Sequence, residues 1–193
     1  MFTSSSFHLE VQDLTLGPIQ HLSFTWPVGL SWVCGDEGTG KTTLLRVLAG
    51  DAQPTAGRFS ASEGGVFWVD LQGAAHDHTK VDAAWDALRM RYPNWNDDVL
   101  QDLAEALDMN GHRDKQLHML STGSRRKVTL IAALASGATV TLLDQPFAAL
   151  DAASVRVLKD FLCEAATHPC RAWVVADYEA PHNLPLASVL NLD

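Results

Sequence analysis

The sequence has 193 residues, with 14 lysine and arginine residues against 23 aspartate and glutamate residues and a formal net charge of −9. This acidic balance, with no basic run longer than Arg125-Arg126-Lys127, disfavours broad binding to nucleic acids or anionic membranes. Residues 1–6 lack the features of a signal peptide, and the longest uncharged stretch is interrupted by polar residues, so we expect a cytosolic chain without a membrane span.

The first 73 residues are predicted to be rich in β-structure. Apolar and polar residues alternate in two stretches that a Gly17-Pro18 turn separates, which is typical of half-buried strands. A third, largely apolar run leads into a glycine-rich loop and then into a helix that Gly50 is expected to end. The predicted strands lie at residues 9–12, 21–26, 30–34, 58–61 and 66–69.

Residues 74–119 have a helical character. A helix is predicted at residues 81–91, and Asn96 is expected to cap a second helix that Gly111 ends. Three aromatic residues of this segment either pack a small helical core, which is the commoner role, or contact a partner; they are Trp85, Tyr92 and Trp95.

From residue 120 onward, predicted helices at residues 123–136 and 154–166 alternate with apolar strands. This alternation is typical of a parallel α/β sheet, whose ligands bind at the carboxyl ends of the strands. One strand ends in Asp144, where a magnesium ligand is expected. The predicted strands lie at residues 138–143, 172–176 and 189–192.

Residues 35–42 fit the pattern G-x-x-x-x-G-K-[ST], which is typical of a phosphate-binding loop. Its glycines allow backbone N–H groups to curl around an anion, and the following helix adds its dipole and the charge of Lys41. The hydroxyl of Thr42 is expected to be a ligand for the magnesium that accompanies ATP. We therefore predict that Mg-ATP binds at Gly35, Asp36, Glu37, Gly38, Thr39, Gly40, Lys41, Thr42 and Thr43.

Further motifs make the chain resemble the ATP-binding subunits of ABC (ATP-binding cassette) transporters. Residues 120–124 resemble the family's signature motif, residues 142–146 its Walker B segment and residues 149–151 its D-loop. The resemblance covers nearly the whole chain and implies an α/β fold, in which a P-loop NTPase core has a mostly parallel sheet, a small antiparallel β subdomain and a helical insert. It implies one nucleotide-binding domain over residues 1–193, with the β subdomain and phosphate loop in 1–73, the insert in 74–119, and the signature helix and the rest of the core in 120–193.

The resemblance also implies partners. Two cassettes of this family stack head to tail, so a homodimer or a heterodimer is expected, in which ATP held by Lys41 of one cassette is capped by Ser121 and Gly123 of the other. A separate transmembrane permease is expected to hold the chain at the inner face of the cell membrane, and no nucleic acid is expected. Gln72 resembles the family's Q-loop residue, which contacts magnesium. Together with Thr42 and Asp144, it completes the set of expected magnesium ligands.

The sequence departs from the family at positions expected to act in catalysis. The residue after Asp144 is usually a glutamate that polarises the attacking water, but here it is Gln145, which cannot accept a proton. Asp177-Tyr178 stands where the family's switch histidine is expected, so that Asp177 either substitutes near the γ-phosphate or caps its loop. In the family, an aromatic residue that stacks on adenine is expected near Leu16-Gly17, but none is present there. The nearest aromatic residues are Phe24 and Trp26, whose alternation with polar residues indicates core positions instead.

Two functions therefore stay open. The first is an ATPase that powers transport, with a catalytic site at Lys41, Asp144, Gln145 and Asp177. The second is a cassette that closes on ATP but hydrolyses it poorly, and that acts as a regulatory or structural partner. Both require Mg-ATP.

Overall fold

The computed structural model describes residues 9–61 and 64–193, so the N-terminal stretch in which no signal peptide is predicted lies outside the described residues. The chain forms two compact units. The first unit contains the described residues of Met1–Trp68 together with Thr139–Gln145 and Leu162–Asp193. The second unit contains Val69–Ala138 and Pro146–Phe161.

The secondary structure follows the predicted order. The strands are β1 (Leu9–Leu16), β2 (Ile19–Thr25), β3 (Gly29–Cys34), β4 (Ala56–Ala61), β5 (Val66–Phe67), β6 (Val140–Asp144), β7 (Ala172–Ala176) and β8 (Leu186–Asn191). The α-helices are α1 (Lys41–Leu48), α2 (Val81–Arg91), α3 (Asp97–Ala106), α4 (Thr122–Ala135) and α5 (Ala152–Ala165).

A five-stranded sheet in the first unit has the order β5-β6-β7-β3-β8, and every neighbouring pair is parallel. Its inner strands are buried along most of their length, as expected for a parallel sheet covered on both faces. The carboxyl ends of β3, β6 and β7 lie side by side, because Ala176 pairs with Val33 on one side and with Asp144 on the other. The residues that follow these strands therefore meet at one edge.

The predicted small antiparallel sheet is also present in the first unit, with the order β2-β1-β4. The turn between β1 and β2 reaches the phosphate loop, because a Cβ added at Gly40 would lie 3.1 Å from the side chain of Ile19. Trp26 is buried in the core of this unit and Phe24 packs against it edge to face, so the prediction that both are core residues is confirmed.

In the second unit, α2 and α3 pack against α4. Trp85 and Tyr92 are buried, and the indole N–H of Trp85 donates to the carbonyl of Val128 over 3.0 Å, which confirms the small helical core. The Asn96 cap is confirmed, since its side chain accepts from the amide of Val99.

The predicted end of the second helix at Gly111 is wrong. The helix α3 ends at Ala106, and Asp108 adopts the left-handed φ of 56° that a terminating glycine usually supplies. The amide of Met109 then turns back to the carbonyl of Ala104 over 2.7 Å. Aspartate tolerates this conformation better than most residues, so the helix can end before a glycine is reached.

Candidate functional site

The phosphate loop follows β3 and has the backbone geometry that its glycines predict. Gly40 has a φ of 99° and precedes the first residue of α1. A Cβ added at Gly35 would lie only 2.5 Å from the hydroxyl of Thr39, so a larger residue would push the loop apart. The loop is thus curled around its own centre at the N-terminus of α1, where a helix favours an anion.

Lys41 is the buried cation of this loop, with 6% of its surface exposed. Its Nζ atom donates to the carbonyl oxygens of Gly35 at 2.5 Å and Asp36 at 2.7 Å. Burying an ammonium group is costly unless it is well hydrogen-bonded, and here the loop's own carbonyls supply those bonds. The arrangement places a positive charge within the curled backbone, as phosphate binding requires.

Thr42 and Asp144 meet beside this lysine. The hydroxyl of Thr42 donates to Oδ2 of Asp144 over 2.6 Å, although the two residues come from α1 and the end of β6. A hydroxyl and a carboxylate at this position suit magnesium, which takes oxygen ligands and usually completes its shell with water and substrate phosphates. The first unit therefore brings together two of the three predicted magnesium ligands, Thr42 and Asp144, and Thr42 directly follows the phosphate-loop residue Lys41.

Within residues 9–61 and 64–193, no three His, Cys, Asp or Glu side chains gather in an arrangement that could hold a metal ion. The pair of Thr42 and Asp144 supplies one hydroxyl and one carboxylate. Such a pair suits Mg²⁺ that is also bound by phosphate oxygens of a substrate.

Gln145 lies at the carboxyl edge directly after Asp144. Its backbone has the left-handed φ of 44°, and its amide donates to the carbonyl of Ala176 over 2.8 Å, which ties the end of β6 to β7. A left-handed conformation costs a residue with a Cβ roughly 1–2 kcal/mol. The side chain is half-buried. A glutamine at this position can orient a water molecule, but its amide cannot take up the proton that an attacking water loses.

Asp177 follows β7 at the same edge. Its amide donates to the carbonyl of Val33 over 3.0 Å, and Oδ1 of its side chain accepts from the amide of Tyr178 over 2.9 Å. The carboxylate thus makes a contact within its own loop. Of the two predicted roles, this contact is the one that a loop cap makes.

Tyr178 is a contact of the phosphate loop that sequence reasoning did not assign. Its ring centroid lies 5.0 Å from Nζ of Lys41, and its carbonyl accepts from the amide of Gly35 over 3.4 Å. The residue is 50% exposed. A cation over an aromatic face is stabilised by the ring quadrupole, so the tyrosine helps to hold the lysine charge in the loop.

Asp193 is a second contact that sequence reasoning missed. Its Oδ1 atom accepts from the amide of Asp36 over 2.8 Å. The register of the sheet carries the signal, because Cys34 before the loop pairs with Asn191 at the end of β8. Residues that follow β8 must therefore lie beside the loop that follows β3.

The signature segment lies in the second unit. Ser121 caps α4, because its hydroxyl accepts from the amide of Ser124 over 3.1 Å. Gly123 lies in the first turn, and a Cβ there would overlap the carbonyl oxygen of Ala149. A glycine is therefore required for the signature helix to pack against the D-loop segment, residues 149–151.

The D-loop segment is also tied to α4 by charge. The Nζ atom of Lys127 donates to Asp151 over 3.0 Å and to the carbonyl of Leu107 over 3.1 Å. The carboxylate of Asp151 accepts from the amide and the hydroxyl of Ser154 at the start of α5. The hydrogen bond from the Ser154 amide, followed by the bond from Lys127, holds the pKa of Asp151 well below its usual range.

Gln72, the third predicted magnesium ligand, also belongs to the second unit. Its side chain is exposed, and its amide donates to Oδ1 of Asp70 over 2.8 Å.

In the part of the chain that the structure describes, no helix is long and apolar enough to cross a membrane.

Comparisons with known proteins agree with these motifs. The family model described as ABC transporter matches residues 19–148. A cytochrome c biogenesis ATP-binding export protein of Tatumella citrea is 30% identical over 172 residues, which cover 81% of this chain and 83% of the relative. A taurine import ATP-binding protein of Pseudomonas fluorescens is 32% identical over 170 residues, covering 79% of this chain and 58% of the relative.

Solved structures show the same fold. An ABC transporter ATP-binding protein from Pyrococcus furiosus superposes with a TM-score of 0.77 at 23% identity, covering 96% of this chain and 97% of that chain. A metal-chelate type ABC transporter in an inward-facing conformation gives a TM-score of 0.71 at 22% identity, covering 90% of this chain and 74% of that chain.

Proposed function

We propose that this chain, which belongs to the ABC transporter family and is an ATP-binding subunit of a transporter, binds Mg-ATP at the phosphate loop and drives a separate membrane permease. The relatives are described as import and export ATP-binding proteins, which supports a peripheral position at the cytoplasmic face of a membrane. Residues 1–193 form one nucleotide-binding domain in this proposal. Its segments are the β subdomain with the phosphate loop (1–73), the helical insert (74–119), and the signature helix with the rest of the core (120–193).

The contact between Thr42 and Asp144 carries the proposal. The two oxygens are 2.6 Å apart, at the end of a loop that buries a lysine. Lys41 and the loop amides would bind the phosphates, and Thr42 and Asp144, with Gln72 as a third ligand, would hold magnesium. The ion supplies positive charge for the phosphate oxygens when bound.

A second copy or a related cassette completes the site in this proposal. Ser121 is exposed at the N-terminus of a 14-residue helix, where amide donors and the helix dipole favour a phosphate. Ser121 and Gly123 of one cassette would then cap the nucleotide bound by the loop of the other. Either a homodimer or a heterodimer satisfies this geometry.

A second candidate function is a cassette that closes on ATP and hydrolyses it poorly. Two observations favour it. Gln145 cannot act as a general base, and the carboxylate of Asp177 accepts from the neighbouring Tyr178 amide. General-base catalysis typically contributes 10²- to 10⁴-fold, on the order of 3–5 kcal/mol of barrier.

The proposal is tested by calorimetric titration of the full chain with Mg-ATP and by its mass in solution with and without ATP. We expect binding and ATP-dependent dimerisation. The Lys41→Ala variant should bind roughly 10- to 100-fold more weakly, since charge-assisted hydrogen bonds are lost. The matched variant Lys115→Ala changes an exposed lysine of the second unit and should bind as the unmodified chain does.

Absence of ATP binding by the unmodified chain would overturn both candidate functions. Steady-state release of phosphate separates them. Turnover that Lys41→Ala abolishes supports the transport ATPase, whereas tight binding and dimerisation without turnover support the poorly hydrolysing cassette.

A further inference from the structure

Arg125 is a buried arginine in the second turn of the signature helix α4, with 9% of its surface exposed. Its guanidinium donates to two backbone carbonyls of a distant segment, from Nε to Leu71 over 2.6 Å and from Nη2 to Gly73 over 2.8 Å. Its Nη1 atom donates to Oδ1 of Asp77 over 2.7 Å, which neutralises the buried charge. The side chain is thus fully engaged within the second unit.

The two carbonyls lie on either side of Gln72. A guanidinium is planar and presents its donors in a fixed fork, so it orients both peptide groups at once. The backbone is therefore hydrogen-bonded on both sides of Gln72, while the side chain of Gln72 is exposed. This is the arrangement of a residue that is positioned by its backbone and left free to reach a ligand.

The same arginine is joined to the beginning of the helix. Its own amide donates to the carbonyl of Ser121 over 2.8 Å. One residue thus connects the Gln72 backbone, through its side chain, with the capped N-terminus of α4, through its main chain. The connection uses hydrogen bonds of 2.6–2.8 Å, of which the bond to Ser121 is the first i to i−4 bond of the helix.

We propose that Arg125 is a positioning residue that couples Gln72, the magnesium ligand of a cassette's own nucleotide, to the Ser121 end of α4, which caps the nucleotide of the opposite cassette. This inference rests on the proposed function. Arg125 acts in this proposal through Gln72 and Ser121 and is not itself a nucleotide ligand. It makes magnesium binding at one site strengthen the closure of the dimer around the other.

The test measures the dimer dissociation constant of the full chain with a non-hydrolysable β,γ-imido analogue of ATP, once with Mg²⁺ and once with EDTA. We expect Mg²⁺ to strengthen dimerisation of the unmodified chain by about tenfold, within the range typical of coupled sites. Arg125→Ala should bring this ratio close to one, as Gln72→Ala should. The double variant should lose no more than either single variant, because both remove the same coupling.

A matched control and a second variant separate coupling from folding. Arg113→Ala removes another half-buried arginine of the second unit, which pairs with Asp82, and should keep the tenfold ratio. Arg125→Lys keeps the charge beside Asp77 but cannot fork between two carbonyls, so the ratio should fall at least threefold with an unchanged thermal midpoint. If Arg125→Ala does not fold, Arg125→Lys decides the question by itself.

Folded Arg125 variants that keep the full Mg²⁺ ratio would overturn this inference and leave the proposed function standing. If the unmodified chain neither binds the analogue nor dimerises, the proposed function fails and the coupling fails with it. The two failures are therefore distinguishable in one data set.

Discussion

The phosphate loop and the residues that follow β6 and β7 lie at the same edge of one parallel sheet, yet they differ in how their chemistry is supplied. In the loop, the anion site comes from backbone conformation and from Lys41, which is already hydrogen-bonded in place. At the ends of β6 and β7, the proposed hydrolysis would depend on single side chains for proton transfer, and there the chain carries Gln145 and Asp177.

Nucleotide binding and nucleotide hydrolysis can therefore be lost independently in such a fold. A loop that binds an anion through backbone N–H groups keeps this capacity as long as the glycines with positive φ angles are present. A general base is lost with one substitution that changes neither volume nor backbone. Glutamine is nearly isosteric with glutamate, so Gln145 can retain the strained position after β6 without the proton-accepting group.

The largest effect is expected when the missing base is restored. The Gln145→Glu variant should raise the rate of phosphate release by about 10²-fold, because a carboxylate at this position can accept a proton from water. Its affinity for Mg-ATP should stay unchanged. Gln101→Glu, an exposed change in α3, serves as the control. An unaltered rate would mean that another group already acts as base or that chemistry is not limiting.

A smaller effect is expected on the binding side. The Asp144→Asn variant should lower the gain in ATP affinity that Mg²⁺ provides by about tenfold, because an amide is a much weaker ligand for a hard cation than a carboxylate. Titrations with Mg-ATP and with ATP in EDTA measure this gain. Asp98→Asn, at an exposed position of α3, should keep it. An equal gain in both variants would exclude Asp144 from the metal site.

The smallest effect is expected when the contact between Lys41 of the phosphate loop and Tyr178 after β7 is removed. The ring of Tyr178 stabilises Lys41 in the free loop, so Tyr178→Ala should raise ATP affinity by roughly two- to fivefold, the equivalent of a partly exposed cation–π contact. Tyr178→Phe keeps the ring and should bind as the unmodified chain does. Weaker binding by Tyr178→Ala would instead indicate that the ring contacts the bound nucleotide.

Sequence patterns predicted those features that depend on local spacing. The boundaries of α2 and β7, the Asn96 cap and the parallel sheet all follow from periodicity and capping chemistry. The end of α3 was not predictable from its glycine, because Asp108 supplies the same backbone conformation.

The contacts of Tyr178, Asp193 and Arg125 join residues that are far apart in sequence. No local pattern encodes such pairs. Asp193 alone left a signal, since the pairing of β8 with β3 fixes its place. For Arg125, only its basic character was visible; two of its partners are backbone carbonyls, which carry no sequence identity, and the third is the carboxylate of Asp77, 48 residues away.

The position of β3 between β7 and β8 bears on how the chain is made. The strand before the phosphate loop, with Gly29 at its start, pairs with residues from Ala172 onward on one side and from Leu186 onward on the other. The antiparallel sheet, by contrast, pairs within the first 61 residues. Long-range pairings form slowly and only after both strands have been synthesised. A nascent chain on the ribosome can therefore fold its small sheet early, whereas the parallel sheet that carries the phosphate loop forms only after β7 and β8 have also been synthesised.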